Sequence, residues 1–94
     1  MIIKKKITIK NPQGLHARPA SVFVKIANRF ESEVTVRKGT EAVNGKSIMG
    51  LMTLAANLGS LLEIEVSGND AELAMAELEK FLSSDTEEGP KDHK

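Results

Sequence analysis

Residues 14–20, with the sequence GLHARPA, hold the side chains best suited to chemistry in this chain. His16 offers an imidazole that can act as a nucleophile, and the guanidinium of Arg18 offers a fork of donors that matches phosphate oxygens. A helix that begins here places unpaired backbone N–H groups beside the imidazole, and such groups bind anions. Gly14 permits a tight turn, and Pro19 is compatible with a first helical turn. The segment therefore predicts a histidine that is transiently phosphorylated.

The sequence around His16 lacks the groups that hydrolysis of a phosphate would need. The only other histidine is His93, and the first acidic residue is Glu31, although a more distant acid could fold back to the site. No glycine-rich nucleotide loop is present. These observations indicate a histidine that handles phosphate without releasing it to water. By themselves, they leave open that His16 is an ordinary helix cap or surface residue.

A second segment of interest begins at Lys46 and has the sequence KSIM. We expect Ser47 to be the N-cap of a helix, where serine stabilises the helix by about 1 kcal/mol relative to alanine. Ile48 and Met52, four residues apart, share one face of that helix. An apolar stripe with this spacing usually belongs to a core.

The composition indicates one small globular domain. Of the 94 residues, 40% are hydrophobic and 28% are charged, which is ordinary for a folded domain. The absence of cysteine excludes disulfides, thiolate metal ligands and a cysteine nucleophile, and it fits a reducing compartment. We find neither a signal-peptide pattern nor a run of about 20 apolar residues. We therefore expect a cytoplasmic protein with no membrane insertion, no cofactor and no metal.

Charge is distributed unevenly along the chain. The net charge is zero, which argues against general nucleic-acid binding. Residues 1–47 nevertheless contain ten Lys or Arg and three Glu, a net charge of +7, and residues 48–94 carry −7. Such an asymmetry can steer a charged partner, although it would also arise if solvated surfaces simply segregated by charge.

The elements that must position these residues alternate along the chain. Apolar residues in alternation predict strands over residues 2–10, 33–37, 41–43 and 62–66. Spacings of three and four predict helices over residues 17–30, from residue 47, and over residues 71–82, with Asn69 or Asp70 as the last cap. The order is βαββαβα. Because the strands are mostly amphipathic, we expect an α+β open-faced two-layer sandwich whose three helices cover one face of the sheet.

The domain is expected to span residues 1–82. Residues 83–94 are polar, contain Gly89 and Pro90, and lack apolar anchors, so we expect a disordered tail.

GLHARPA closely resembles the active-site segment of the HPr family, the histidine-containing phosphocarriers of the phosphoenolpyruvate-dependent sugar phosphotransferase system. The similarity continues through VNGKSIMGLMTLAANLGSLLEIEVSG and the last helix, and it covers roughly residues 2–82. The predicted element order is also that of the family, whose sheet has four antiparallel strands. Gln13 is a departure, because relatives often have Asn or Ser at that position.

The resemblance implies a phosphoryl relay. His16 would accept a phosphoryl group on Nδ1 from phosphorylated Enzyme I and pass it to an Enzyme IIA domain. Arg18 and the amides near Ala17 and Arg18 would hold the phosphoryl oxygens, and Pro19 would shape the first turn. The chain would then be a phosphoryl carrier and not an enzyme with its own turnover.

The resemblance also gives the KSIM segment a role in regulation. Ser47 matches a serine that HPr kinase/phosphorylase modifies in some relatives. Phosphorylation there would make that kinase a partner, together with a transcriptional regulator in catabolite control, and we expect it to slow the phosphorylation of His16.

A docking surface for Enzyme I and Enzyme IIA is implied on the second helix. We expect Leu51 and Ala55 to point inward. The residues expected to contribute to docking are Ile48, Met49 and Met52, with Arg18, Lys25 and Lys46 as a basic ring.

Three alternatives fit the same residues. A carrier in the nitrogen-related branch of the phosphotransferase system would signal and not feed a sugar transporter, although KSIM favours the sugar-type or kinase-regulated form. A small regulatory module could bind an anion non-covalently at the helix start. A regulator that acts through phosphoserine alone is disfavoured by the presence of His16. In each case we expect a monomer, because this small fold needs no partner to complete its core.

Overall fold

A computed structural model describes residues 1–84. Its strands and helices follow one another in the order predicted from the sequence. They are β1 (Ile2–Thr8), α1 (Ala17–Ala27), β2 (Glu33–Lys38), β3 (Glu41–Asn44), α2 (Ile48–Thr53), β4 (Leu61–Ser67) and α3 (Ala71–Ser83). Within the described part of the chain, no helix is long and apolar enough to cross a membrane.

The four strands form one antiparallel sheet in the order β1-β4-β2-β3. β4 is therefore paired on both sides, and Val66 lies opposite Ile3 of β1 and Val34 of β2. β2 and β3 form a hairpin whose turn contains Gly39, with a φ of +61°. The sheet and its three helices confirm the predicted α+β open-faced sandwich.

One face of the sheet is polar. Lys6 and Arg37 both lie opposite Glu63, and Arg37 Nη1 is 2.8 Å from an oxygen of Glu65. The hydrogen bond from Arg37 holds the pKa of the Glu65 carboxyl below its usual value. Cross-strand pairs of opposite charge stabilise a solvated face. This face therefore needs no covering layer.

The other face of the sheet forms the core with the helices. The apolar residues whose spacing predicted the first and third helices are buried, which confirms the two stripes, apart from Phe30, which is half-buried beyond the end of α1. They are Ala20, Phe23, Val24 and Ala27 of α1 and Ala71, Ala74, Met75, Leu78, Phe81 and Leu82 of α3. α1 packs against both α2 and α3, and α3 packs on β1 and β4. The largest fully buried side chains include Phe23 of α1 and Phe81 of α3.

α2 ends earlier than its apolar spacing suggests. Leu54 is its C-cap, and Ala55 then adopts a left-handed φ of +52°. Leu51 is fully buried, as predicted, but the prediction that Ala55 points inward is wrong. Ala55 is exposed and Ala56 is buried instead, because a spacing of four residues places side chains on one face only while the backbone stays helical.

The N-cap of α3 is Asp70, but its carboxylate does not cap the helix. Oδ2 accepts a hydrogen bond from the backbone N–H of Glu31, and Oδ1 accepts from the N–H and the hydroxyl of Ser32. Asp70 therefore ties the β4–α3 connection to the α1–β2 connection. The prediction named Asp70 as one of two candidate caps, with Asn69, and did not foresee this role of its side chain.

Element ends differ from the predictions by a few residues. β1 ends at Thr8, and α1 ends at Ala27 with Asn28 as its C-cap. α3 includes Ser83, so the predicted tail cannot begin there. Residues 85–94, where most of that tail was predicted, lie outside the described residues.

Candidate functional site

His16 is the N-cap of α1. Its backbone is extended, with φ −85° and ψ −162°, and its carbonyl accepts the hydrogen bond of Ala20 N–H at 2.8 Å. Its side chain makes no capping hydrogen bond and is exposed. His16 is therefore a cap residue by position only, and its imidazole is accessible to a partner.

The first turn of α1 offers free amide donors beside His16. The N–H groups of Ala17 and Arg18 have no acceptor within residues 1–84, and Pro19 has no N–H. Two unsatisfied donors at the positive end of a helix attract an anion. The Arg18 side chain is exposed and has no hydrogen-bond or ion-pair partner within the same residues.

Gly14 allows the loop before His16 to pack closely against a second loop. Its φ is +66°, and a Cβ at this position would lie 2.3 Å from the carbonyl oxygen of Ala56. The N–H of the next residue, Leu15, donates to that oxygen at 2.8 Å. The requirement for glycine was predicted from a tight turn. In the structure, the close neighbour is the chain's own backbone.

Asn57 is the residue of the site that the sequence did not indicate. Its Oδ1 lies 3.0 Å from Nε2 of His16, across 41 residues of sequence. No local pattern around Asn57 marks it, because the contact exists only where the two loops meet. Within residues 1–84, the imidazole is therefore hydrogen-bonded to a neutral amide and to no acid.

Ser47 is the N-cap of α2, as predicted. Its hydroxyl oxygen accepts the hydrogen bond of Gly50 N–H at 3.0 Å, and the side chain is half-buried. A Cβ at Gly50 would lie 3.2 Å from that oxygen, so a larger residue would crowd the cap.

The exposed side of α2 carries three large apolar residues. Met49 is 78% exposed, Met52 42% and Ile48 40%. Full burial of the two methionines would have contradicted a docking role, and they are accessible.

The two lysines expected to flank this side of α2 differ in exposure and in hydrogen bonding. Lys25 is exposed, whereas Nζ of Lys46 donates to the carbonyl of Phe30 at 2.7 Å. This bond directs Lys46 toward the protein.

A family model described as the PTS HPr component phosphorylation site matches residues 3–84. The chain belongs to the HPr family of the phosphotransferase system. HPr of Neisseria meningitidis serogroup A is 46% identical to it, over 94% of this chain and 99% of that protein. The HPr-like protein Crh of Halalkalibacterium halodurans is 44% identical, over 89% of this chain and all of that protein.

A solved structure supports the same assignment. The crystal structure of HPr from Bacillus anthracis has a TM-score of 0.81 to this chain, with 42% identity over 83% of this chain and 93% of that one. As a member of the HPr family, the chain is a phosphocarrier of the phosphotransferase system and not a catalytic enzyme. Within residues 1–84, no group of three or more His, Asp or Glu side chains could hold a metal ion.

Proposed function

We propose that this HPr-family protein accepts a phosphoryl group on Nδ1 of His16 from phosphorylated Enzyme I and passes it to Enzyme IIA domains. The observation that carries this proposal is the exposed imidazole of His16 at the start of α1, beside two amide N–H groups without acceptors. No other histidine lies within residues 1–84.

The arrangement suits transfer without hydrolysis. The lone pair of Nδ1 attacks phosphorus, and the donor's bond to phosphorus breaks with its electron pair staying on the donor. The amides of Ala17 and Arg18, with the Arg18 guanidinium, offset charge on the phosphoryl oxygens. Gly14 and Pro19 shape the turn that presents the imidazole. The one hydrogen-bond partner of the imidazole within residues 1–84 is an amide, which is not a base that could activate water.

The first experiment is an intact-mass measurement after incubation with phosphoenolpyruvate, Mg²⁺ and Enzyme I. Neutral to alkaline pH is needed because phosphohistidine is labile in acid. We expect one added phosphoryl group on the wild type and on His93→Ala, and none on His16→Ala. Loss of the group on His93→Ala, or no addition with the host's own Enzyme I, would contradict the proposal.

The same sample identifies the acceptor. Addition of an Enzyme IIA domain should remove the phosphoryl group from the chain. A sugar-type and a nitrogen-type domain, supplied in parallel, separate the two branches. The KSIM sequence at Ser47 supports the sugar-type or kinase-regulated form. We therefore expect transfer to the sugar-type domain to be faster than transfer to the nitrogen-type domain.

Ser47 is proposed as a regulatory site for HPr kinase/phosphorylase, with a transcriptional regulator as a further partner. The similarity to Crh supports a regulatory role of this kind. A phosphate on Ser47 adds nearly two negative charges beside the proposed docking surface. These charges would oppose an acidic Enzyme I surface and slow the phosphorylation of His16.

Ser47→Asp and Ser47→Asn separate charge from capping. Both replacements can cap α2, but only aspartate adds a charge. We expect the rate of phosphoryl transfer from Enzyme I to fall for Ser47→Asp and to stay near the wild-type rate for Ser47→Asn. Equal rates for the two variants would exclude the charge effect.

We also propose that Ile48, Met49 and Met52 form the apolar part of the surface that docks Enzyme I and Enzyme IIA. Their exposure on α2 supports this role, and methionine side chains adapt to several partners. Arg18 and Lys25 supply accessible positive charge. Lys46 contributes through its charge and not as a free side chain, because its ammonium is bound to Phe30.

The same proposal includes a cytoplasmic monomer. The core is formed by the chain's own helices and sheet, so a second copy is not needed to bury it. Light scattering coupled to size-exclusion chromatography should give the monomer mass, and a dimer mass would contradict this part.

A further inference from the structure

The contact between His16 and Asn57 joins a ring nitrogen to an amide oxygen. Nε2 of the imidazole lies 3.0 Å from Oδ1 of the amide, and within residues 1–84 the imidazole has no other hydrogen-bond partner. An amide oxygen accepts hydrogen bonds but cannot donate them. The contact is therefore a hydrogen bond only when Nε2 carries the ring hydrogen.

Both ends of this contact are held by other bonds. The N–H of Asn57 donates to the Ser60 hydroxyl at 3.0 Å, and the N–H of Ser60 donates to the Asn57 carbonyl at 2.9 Å. On the other side, Leu15 N–H binds the Ala56 carbonyl, next to the close approach of Gly14. The amide is thus presented to the imidazole by a loop that is fixed within the fold.

The next loop residues are fixed to the neighbouring parts of the fold as well. Gly59 N–H donates to Ile9 O, and Ile9 N–H donates to Ser60 O, both at 2.9 Å. At the start of the loop, Nζ of Lys38 lies 3.0 Å from Ala55 O. These bonds limit how far Asn57 can move away from His16.

We infer that Asn57 is a positioning residue that holds His16 in the tautomer with hydrogen on Nε2 and the lone pair on Nδ1. In this form, the nitrogen that faces no protein acceptor is the nucleophile. The inference deepens the proposed function and rests on it, because it concerns which ring nitrogen accepts the phosphoryl group.

The same bond stabilises the product of the transfer. When the Nδ1 lone pair forms the bond to phosphorus, Nε2 keeps its hydrogen and the ring gains a positive charge. A hydrogen bond from a charged donor is stronger than one from a neutral donor. Asn57 Oδ1 therefore binds the phosphorylated ring more tightly than the free ring, and it does so without adding a negative charge that would repel phosphate.

The tautomer can be measured without any phosphoryl donor. Imidazole nitrogen chemical shifts are recorded for ¹⁵N-labelled protein at about pH 9, where histidine is neutral. A His93→Gln background leaves His16 as the one imidazole of the chain. The variants are Asn57→Ala, which removes the acceptor, and Asn57→Asp, which keeps an acceptor oxygen.

In the protein with Asn57 and in the Asn57→Asp variant, we expect a single tautomer with hydrogen on Nε2. In the Asn57→Ala variant, we expect a mixture of the two tautomers. A wild-type spectrum dominated by hydrogen on Nδ1 would mean that the amide nitrogen donates, and it would overturn the inference. Unchanged shifts in Asn57→Ala would also overturn it.

Transfer kinetics give the second readout. Asn57→Ala should accept the phosphoryl group from Enzyme I roughly two- to tenfold more slowly, the factor expected for loss of one hydrogen bond. Leu58→Ala, which truncates the exposed neighbour in the same loop, should keep the wild-type rate. Equal transfer rates for the two variants would contradict the positioning role of Asn57.

The two readouts distinguish the two claims. If His16 takes no phosphoryl group but its tautomer responds to Asn57→Ala, the proposed function fails and the positioning of the ring stands. If the wild type and Asn57→Ala share one tautomer and one transfer rate, the positioning role fails and the carrier function stands.

Discussion

At the scale of single residues, the site combines accessibility with fixed geometry. The His16 side chain is exposed, yet its ring is hydrogen-bonded to Asn57 and its backbone is the N-cap of α1. An accessible nucleophile that kept free rotation would lose orientational entropy at each transfer. Fixing the ring from the neighbouring loop lowers that cost while the side chain stays exposed.

Gly14 and Gly39 give a matched test of how closely the two loops pack. Both have a left-handed φ, but a Cβ would meet the Ala56 carbonyl at Gly14 and nothing within 4 Å at Gly39. Gly39→Ala should lower the free energy of unfolding by about 1–2 kcal/mol, the cost of the left-handed conformation. Gly14→Ala should lose roughly 1–3 kcal/mol more, because overpacking is added.

Urea denaturation measures the two glycine variants directly. An equal loss for both would mean that Gly14 serves the turn alone and that the two loops can separate without cost. The Gly14 variant should also accept phosphoryl groups more slowly, because a shift of either loop moves His16 relative to Asn57.

At the scale of elements, α2 has a buried side that contributes to the core and an exposed side that carries the proposed docking residues. Leu51 is fully buried, whereas Met49 and Met52 on the same short helix are exposed. The helix is held at its start by the Ser47 cap and at its end by Lys38, whose Nζ lies 3.3 Å from Leu54 O. A helix of 6 residues has little stability of its own, so these attachments and Leu51 fix its position.

Truncations on the two sides of α2 should therefore affect different properties. Leu51→Ala should lower the free energy of unfolding by about 2–5 kcal/mol, as for other buried leucines. Met49→Ala should change stability by about 0.5 kcal/mol or less but weaken binding to Enzyme I. Leu73→Ala, on the exposed side of α3, is the control for loss of a surface apolar group.

Calorimetric titration with Enzyme I and thermal unfolding separate the two effects. If Leu73→Ala weakened binding as much as Met49→Ala, the docking surface would not be confined to α2. Undiminished binding of Met49→Ala would remove this residue from the proposed surface.

At the scale of the whole molecule, Asp70 links two connections at one end of the sandwich. Its hydrogen bond with the Ser32 hydroxyl, together with the N–H groups of Glu31 and Ser32, holds its pKa below the usual value. The link joins the chain after α1 to the chain before α3, although 38 residues separate Ser32 from Asp70. It therefore stabilises the arrangement of the two helices on the sheet.

Stability should depend on pH through this carboxyl. Because the pKa of Asp70 is lower in the folded state, its contribution is complete above the unfolded value of about 3.9 and is lost as pH falls through the folded value. Asp70→Asn should be less stable than the wild type at neutral pH, and the difference should shrink in acid.

Urea unfolding between neutral pH and about pH 3 tests this link, with Glu72→Gln as the control for removing one negative charge near the start of α3. A constant difference between Asp70→Asn and the wild type across this range would show that the charge of Asp70 is not what stabilises the link. The control should show a smaller difference at neutral pH, because no hydrogen-bond partner of Glu72 lies within residues 1–84.

The order of the elements, the layer architecture and the place of GLHARPA at the start of α1 could all be predicted from the sequence. These follow from short-range patterns, since alternation and helical spacing fix which face of each element is apolar. Burial confirmed the stripes of α1 and α3. The positions of Ala55 and the end of α1 could not be read in this way, because apolar spacing does not show where a helix stops.

Which loops meet became clear only from the folded structure. The contact of Asn57 with His16, the packing of Gly14 on Ala56 and the link from Asp70 to Ser32 join residues that are 38 to 42 positions apart. Such contacts depend on how helices and strands pack, and polar loop residues carry no periodic signal of their partners. The sequence therefore pointed to His16 as the proposed nucleophile, and the fold determined how its ring is held.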